Sequence, residues 1–384
     1  MTYRVAIIGT GPDPETRDRD GYAMAYRHAG GYRRLDSCSL VACADIVPEN
    51  AQAFADHHDL TAVYEDHETM LKEVEPDIVS VCVPPGVHAD LVVDSAETPS
   101  VDAVHCEKPM ATTWDDCRRM VSTCDAEDVQ LTIDHQRRLS EPVQRAKKLL
   151  KDGEIGDLKR LEWSEVNLFD AGSHLFDLCD YFVGGARAEW VLAGIDCSHE
   201  NRWFGALNET RAIARWRYAD GTVGFASTAE DGDTVVDAYL RIVGEDGVIE
   251  IQPDDGPALR VRTDGGWKEI DTDENVYGPT PGLVRLGLDK VASLIPGAPS
   301  LTQPPTHYEQ AIEHLVSSLQ NGTEPIFSGR RVLRGTELIF ASWESARQRG
   351  RVHLPIDIAG NPLEEMYEAG QLGGGQLEAT PSAE

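Results

Sequence analysis

Gly9-Thr10-Gly11 follows the apolar run Val5-Ala6-Ile7-Ile8, and Asp45 closes a second run from Leu40 to Ala44. Glycines let a backbone approach a pyrophosphate, and the N-terminus of the next helix favours its charge. An acid ending the second strand can accept hydrogen bonds from ribose hydroxyls, so this spacing outlines a dinucleotide site. The outline departs from the usual pattern. Pro14 stands three residues after Gly11, where a glycine is usual, and an inserted PDPETRDRD delays the helix. Gly21 is a candidate for the third glycine's role of close helix packing. Arg17 and Arg19 are either phosphate contacts or solvated loop charges. Further on, Lys108 sits in Cys106-Glu107-Lys108-Pro109, and a residue before proline is biased to extended backbone. That geometry can point an ammonium across a cleft, although a strand-end lysine can equally be a surface charge. Asp170 and His174 are four apart and share one face if helical. A histidine titrating near neutrality can take a hydroxyl proton while hydride leaves the same carbon. An acid one turn away can orient it or hold substrate; the plainer reading is a helix-start cap and a satisfied core histidine.

The segments carrying these residues alternate strand and helix through the first third. Strand-like runs at residues 5–8, 40–44, 62–64, 78–83, 101–106 and 129–133 are separated by helical patterns near 21–34, 48–57 and 113–125. Such alternation predicts a parallel sheet covered on both faces. After about Arg138 the character changes. A helix near 142–151, a strand near 161–167 and a helix near 171–183 precede longer strands joined by turn signals, Ala219-Asp220-Gly221 and Glu245-Asp246-Gly247. Helices near 306–320 and 329–349 and a short strand at 351–355 follow. The expected fold is α/β: an N-terminal Rossmann domain over residues 1–136, then an α+β domain over 137–358 with a large open, mostly antiparallel sheet. A partly flexible tail over 359–384 is rich in Gly, Glu, Ser and Pro. His57-His58 is not a metal spacing, and no H-E-x-x-H, Cys/His cluster or G-x-S-x-G elbow occurs, so no metal site is expected.

Taken together, VAIIGTG, Asp45, DIVSVCVPPGVHADLV, HCEKPMA, HQRR at 135–138, DAGSHLFDL at 170–178, RIVGEDGVIEI at 241–251 and ASWESARQRGRVHLPI run in order over nearly the whole chain. This set resembles the glucose-fructose oxidoreductase / inositol dehydrogenase (Gfo/Idh/MocA) family. The resemblance implies NAD(P)-dependent hydride transfer at a hydroxyl-bearing carbon of a sugar, cyclitol or related polyol. It implies Lys108, Asp170 and His174 as catalytic residues. Gly9, Thr10, Gly11, Asp45, Pro84, His88, Glu107 and Lys108 fall on the cofactor side. His135, Arg137 and Asn167 fall on the substrate side. It also implies a homo-oligomer, dimer or tetramer, formed through the C-terminal sheet. Two rivals stay open: an enzyme that uses bound NAD internally to cleave or epimerise a sugar without net redox, and a non-catalytic dinucleotide-binding regulator. The acid/base set argues against the second. Asp45 is followed by Ile46-Val47-Pro48-Glu49-Asn50, with no cation to meet a 2′-phosphate, so NAD is expected over NADP.

Length and charge narrow the partners. A chain of 384 residues is expected to hold about two domains. Sixty-six Asp and Glu against 35 Lys and Arg leave a net charge of −31, which repels nucleic-acid phosphates and anionic lipid. A small-molecule substrate is the expected partner. Eight cysteines, none in a C-x-x-C pair and several inside apolar runs, suit reduced thiols. MTYRVAIIG enters a strand directly, and no apolar run approaches about 18 residues, so a soluble cytoplasmic protein is expected. The carboxylates are spread along the chain, and lysine is scarce beside arginine. That distribution matches halophilic proteins, whose self-repulsion is screened when the Debye length falls to about 3 Å at 1 M salt. The expected outcome is a melting temperature that rises from dilute buffer to molar KCl; a flat or falling temperature by calorimetry removes the halophile reading.

Overall fold

The computed structural model of the chain describes residues 2–14, 23–279 and 305–372. Arg17, Arg19, Gly21 and the tail from residue 373 lie outside them. The first sheet contains β1 (Tyr3–Ile8), β2 (Cys38–Ala44), β3 (Ala62–Tyr64), β4 (Ile78–Val81), β5 (Ala103–Cys106) and β6 (Gln130–Ile133). Its order is β3-β2-β1-β4-β5-β6, with every pair parallel. The helices are α1 (Met24–Arg33), α2 (Pro48–His58), α3 (His67–Val74), α4 (His88–Ala96) and α5 (Trp114–Ala126). β4 and β5 are buried at every position because helices cover both faces, which is why they read as unbroken apolar runs. Asp66 and Thr113 start α3 and α5 by accepting backbone N–H bonds from Thr69 and Asp116.

A 3₁₀ turn (Gln136–Leu139) and α6 (Glu141–Lys151) lead into β7 (Leu158–Glu165) and α7 (Ser173–Val183). Then come β8 (Ala188–Asp196), β9 (Asn201–Trp203), β10 (Ala206–Asn208), β11 (Arg211–Tyr218), β12 (Val223–Ala229), β13 (Ala238–Gly244), β14 (Val248–Pro253), β15 (Leu259–Thr263) and β16 (Gly266–Glu269). The short pair β17 (Glu274–Asn275) and β18 (Gly278–Pro279) follows, then α8 (His307–Asn321), α9 (Gly329–Gln348), β19 (Val352–His353) and α10 (Pro362–Glu368). The second sheet has nine strands, ordered β16-β15-β14-β13-β7-β12-β11-β8-β19. It is mostly antiparallel, as expected, but mixed: β7 lies parallel to β12. The turns at 219–221 and 245–247 are hairpins. β11 alternates strictly, with Ala212, Ala214, Trp216 and Tyr218 inward and Arg211, Ile213, Arg215 and Arg217 outward. The inner face is covered by aromatic packing, with Phe176 of α7 centred 5.0 Å from Trp163 and 5.2 Å from Trp216.

Two parts of the late chain are placed by contacts that no local pattern marks. α8 buries Ile312, Leu315 and Val316 against Val5, Ile7, Ala25, Ala29 and Tyr32, so it packs on the first domain although it follows the second in sequence. Phe327 and Ser328 also return to the edge of β6, where the Ile133 N–H donates to the Phe327 carbonyl (3.1 Å). The start of the tail is ordered. The Asn361 side chain caps α10, and its amide donates to the Thr112 carbonyl (2.9 Å), while Leu363 and Met366 are buried.

The turn that leaves the first sheet is tied to the second domain's helices by Arg138, which is 1% exposed. Its Nε and Nη2 donate to the Asp177 carboxylate of α7 at 2.6 and 2.7 Å, and its Nη1 to the Ile326 carbonyl at 2.6 Å. Removing one member of a buried, hydrogen-bonded pair strands the other charge, at about 3–5 kcal/mol. Arg138→Ala is therefore expected to lower unfolding free energy by that amount in urea titrations, with Arg138→Lys restoring only part because an ammonium cannot make the two-pronged contact. A loss under about 1 kcal/mol would contradict the role assigned to the pair.

Candidate active site

β1 and β4 are neighbours in the sheet but are joined to helices on opposite sides, so their carboxyl ends open a crevice. Gly9 sits at its floor with φ +82°. A Cβ there would stand 2.3 Å from Val83 Cγ1 and 2.9 Å from the Cys82 carbonyl, so only glycine allows the strand ends to approach. Asp45 ties this turn together. One carboxylate oxygen accepts from the Gly11 N–H (2.9 Å) and the Thr10 hydroxyl (3.0 Å), and the other from the Val47 N–H (2.9 Å). Asp45 remains partly exposed, with lone pairs left for a further donor.

Pro84 is exposed at the end of β4, just before a short 3₁₀ turn. His88 is buried beneath that turn. Its Nε2 lies 2.8 Å from the Val83 carbonyl and its Nδ1 2.9 Å from the Pro109 carbonyl, so it links the two loops that follow β4 and β5. Glu107 also faces inward. One oxygen lies 3.0 Å from His28 Nε2, and the other accepts from the Lys108 N–H (3.2 Å). The Lys108–Pro109 bond is cis.

Lys108 reaches across to the second domain, where its Nζ donates to the Asp170 carboxylate (3.0 Å) and to the Asp170 carbonyl (3.2 Å). The expectation that Asp170 and His174 share a helix face is corrected here. α7 begins at Ser173 with Gly172 as its N-cap, so Asp170 lies in the preceding turn and pairs with Lys108 instead. His174 meets His135: their Nδ1 atoms are 3.3 Å apart and their rings perpendicular. Burial, then Arg137, His135 and Lys108, hold His174 well below the usual imidazole range. His135 is pushed down in the same way, by burial first and then by Arg138.

The turn carrying Asp170 is built from inside. The Asn167 side-chain oxygen accepts from the Ala171 N–H (2.9 Å), and its carbonyl from the Gly172 N–H (3.0 Å). A Cβ on Gly172 would sit 2.6 Å from the Asn167 and Leu168 carbonyls. Asn167 therefore shapes the turn, and its side-chain nitrogen is buried without a partner among the described residues. Glu209 supports the same turn by accepting from the Leu168 N–H (2.5 Å) and from Trp343 Nε1 (3.1 Å). Burial raises its carboxyl to about 7. Arg137 donates to the Tyr239 hydroxyl (2.8 Å), lies 4.8 Å from the Tyr277 ring centre and 3.6 Å from Glu165. Glu209, Tyr239 and Tyr277 were not among the expected site residues. No motif marks them.

A crevice at the strand ends of a 3-2-1-4-5-6 sheet, with a lysine and a histidine from that sheet's own edge facing an acid and a histidine from the second domain, defines a dinucleotide-dependent oxidoreductase type of site. Residues 3–135 match the family model described as oxidoreductase family, NAD-binding Rossmann fold, and residues 159–354 match its C-terminal alpha/beta domain. The chain belongs to the Gfo/Idh/MocA oxidoreductase family. It is 26% identical to D-apiose dehydrogenase of Paraburkholderia graminis over 92% of this chain and 90% of that protein. It is 29% identical to 2,7-anhydro-N-acetylneuraminate hydratase of Mediterraneibacter gnavus over 45% of this chain; the match spans half of that relative's length. The fold matches the crystal structure of the WlbA dehydrogenase of Bordetella pertussis in complex with NADH and UDP-GlcNAcA. The TM-score is 0.68 at 23% identity, over 93% of this chain and 100% of that one. No helix among the described residues is long and apolar enough to cross a membrane.

Proposed function

We propose that this protein is an NAD-dependent dehydrogenase acting on a hydroxyl-bearing carbon of a sugar, cyclitol or related polyol. The observation that carries the reading is the convergence of Lys108, Asp170, His135 and His174 at the carboxyl edge of the Rossmann sheet. The glycine turn fits a dinucleotide: Gly9 and Gly11 have positive φ, and Asp45 stands at the end of β2. Gly9, Thr10, Gly11 and Asp45 would hold the cofactor, with Pro84 at the rim. When bound, a nicotinamide ring exchanges hydride with the substrate carbon.

The chain's own residues handle the oxygen and the proton. Lys108 carries a fixed charge that stabilises the substrate oxygen as its proton leaves. Asp170 holds that ammonium in place through two contacts. His174, kept neutral through the ordinary imidazole range, is ready to accept the hydroxyl proton, and His135 orients its ring. Arg137 with its tyrosines borders the substrate side. The similarity to a hydratase supports a second reading, in which the same residues serve a cycle with no net redox. Accumulation of NADH under turnover separates the two: it supports the dehydrogenase, and product without NADH supports the cycle.

Three outcomes test the proposal directly. General-base assistance is worth about 10²–10⁴ in rate. His174→Ala is expected to lower kcat by that factor and to abolish the acid-side limb, which in the parent enzyme lies below pH 6.5, while cofactor binding persists. Lys108→Ala should instead lower kcat at every pH. Unchanged turnover and pH profile in His174→Ala would make the histidine pair structural. For the cofactor, Asp45 with no Lys or Arg in residues 46–50 should give a higher kcat/KM with NAD than with NADP. An NADP preference would overturn this assignment.

A further inference from the structure

Behind Lys108, on the side of the sheet covered by α1, lies a second group of buried polar side chains that the proposed chemistry does not use. It draws on His28 from α1, His105 from β5 and Asp134 just after β6, with Glu107 beside them. His28 and His105 are 0% exposed and Asp134 1%. One ligand-type atom from each of His28, His105 and Asp134 lies within 4.8 Å of the other two. His28 Nε2 is 3.6 Å from an Asp134 oxygen and 3.0 Å from a Glu107 oxygen.

Three features distinguish this group from a satisfied core network. The Thr132 hydroxyl donates to the Val104 carbonyl (3.3 Å), so its oxygen must accept from His105 Nδ1, which lies 2.9 Å away. That assigns the ring proton of His105 to Nδ1 and leaves a lone pair on Nε2. His105 Nε2 is buried and has no hydrogen-bond partner among the described residues. Both oxygens of Asp134 are likewise buried and without hydrogen-bond partners among them. The His28 ring is turned so that Nδ1 meets Ser80 Oγ (2.8 Å), which aims Nε2 at the carboxylates. His28 Nε2 shares one proton with Glu107 at 3.0 Å, which a metal would displace, and His105 Nε2 and both Asp134 oxygens converge beside it as acceptors without a donor among the described residues. Buried acceptors without donors are costly, and a cation removes the cost.

We propose that His28, His105 and Asp134, with Glu107 as fourth ligand, form a binding site for a divalent cation of the zinc class. Two imidazoles and two carboxylates are the donor set that borderline metals take; magnesium and calcium prefer oxygen alone. With metal–ligand bonds of about 2.0–2.2 Å, neighbouring donors of a tetrahedral site stand about 3.3 Å apart. The separations at His28 Nε2 bracket that value. His28 Nδ1 against Ser80 and His105 Nδ1 against Thr132 are the outer hydrogen bonds that ligating histidines need. The ion would pin α1 to the ends of β5 and β6, and so fix the segment that presents Lys108.

The test uses the full chain, stripped with a chelator, checked for folding by circular dichroism and dialysed against ZnCl₂ in molar KCl to suppress loose ions around the acidic surface. One zinc per chain retained through gel filtration is expected, with an X-ray absorption spectrum of two imidazoles, oxygen donors and no sulfur. Asp134→Asn should lose the zinc. Thr132→Val, which keeps shape but removes the acceptor that orients His105, should weaken binding about 10–100-fold. His67→Ala, in the more exposed His67, Glu68 and Asp94 group, should retain the zinc. Folded parent protein that retains no zinc overturns the site, as does equal retention by Thr132→Val, or loss of zinc in His67→Ala. If Asp134→Asn does not fold, the parent stoichiometry, the spectrum and the other two variants decide.

Discussion

The cleft depends on one guanidinium with no access to water. Arg138 lies three residues after His135 and next to Arg137, and its contacts with Asp177 and the Ile326 carbonyl tie the turn after β6 to α7 and to the segment before α9. Asp177 is three residues after His174 on α7, so one buried ion pair sets the spacing of the two histidine-bearing segments. Asp180, one turn along from Asp177, is held in turn by Arg334 of α9 at 2.7 and 2.9 Å. A buried pair of this kind gains little over an apolar contact of equal volume. Its directional contacts do hold the turn after β6 in one placement against α7.

Around that anchor, the cleft sets two cations and two carboxylates beside a pair of neutral histidines. Lys108 and Arg137 bear on the same two histidines, while Asp170 and Glu165 each neutralise one of them only in part. Water is largely excluded, so these charges act at a lower dielectric than the surface carboxylates and are less screened by salt. A neutral imidazole beside a fixed ammonium follows from this arrangement. The two groups divide the work of stabilising an oxygen and accepting a proton.

The turn from Asn167 to Gly172 is where precision is supplied. It has no regular structure, yet its backbone groups are satisfied by Asn167, Glu209 and Asn208 from within the second domain. An active-site loop built this way borrows rigidity from the core beneath it. Late segments of the chain perform the same service for the first domain, where α8 covers α1 and Asn361 bonds to the segment before α5.

Much of this was legible in the order of residues. Unbroken apolar runs ending in Gly9, Asp45, Pro84 and Lys108 specify a parallel sheet and the edge at which a ligand sits, because strand periodicity and turn chemistry are local properties. The alternation of β11 and the hairpins at 219–221 and 245–247 were local in the same sense. What only the tertiary structure decided are the partners. Spacing of four suggested that Asp170 serves His174; the fold starts the helix at Ser173 and hands Asp170 to Lys108, 62 residues away. His135 with His174, Arg138 with Asp177, and the gathering of His28, His105 and Asp134 likewise join residues that no short motif links. Such contacts depend on how two domains and a returning helix pack, and packing is a property of the whole chain rather than of any window of it.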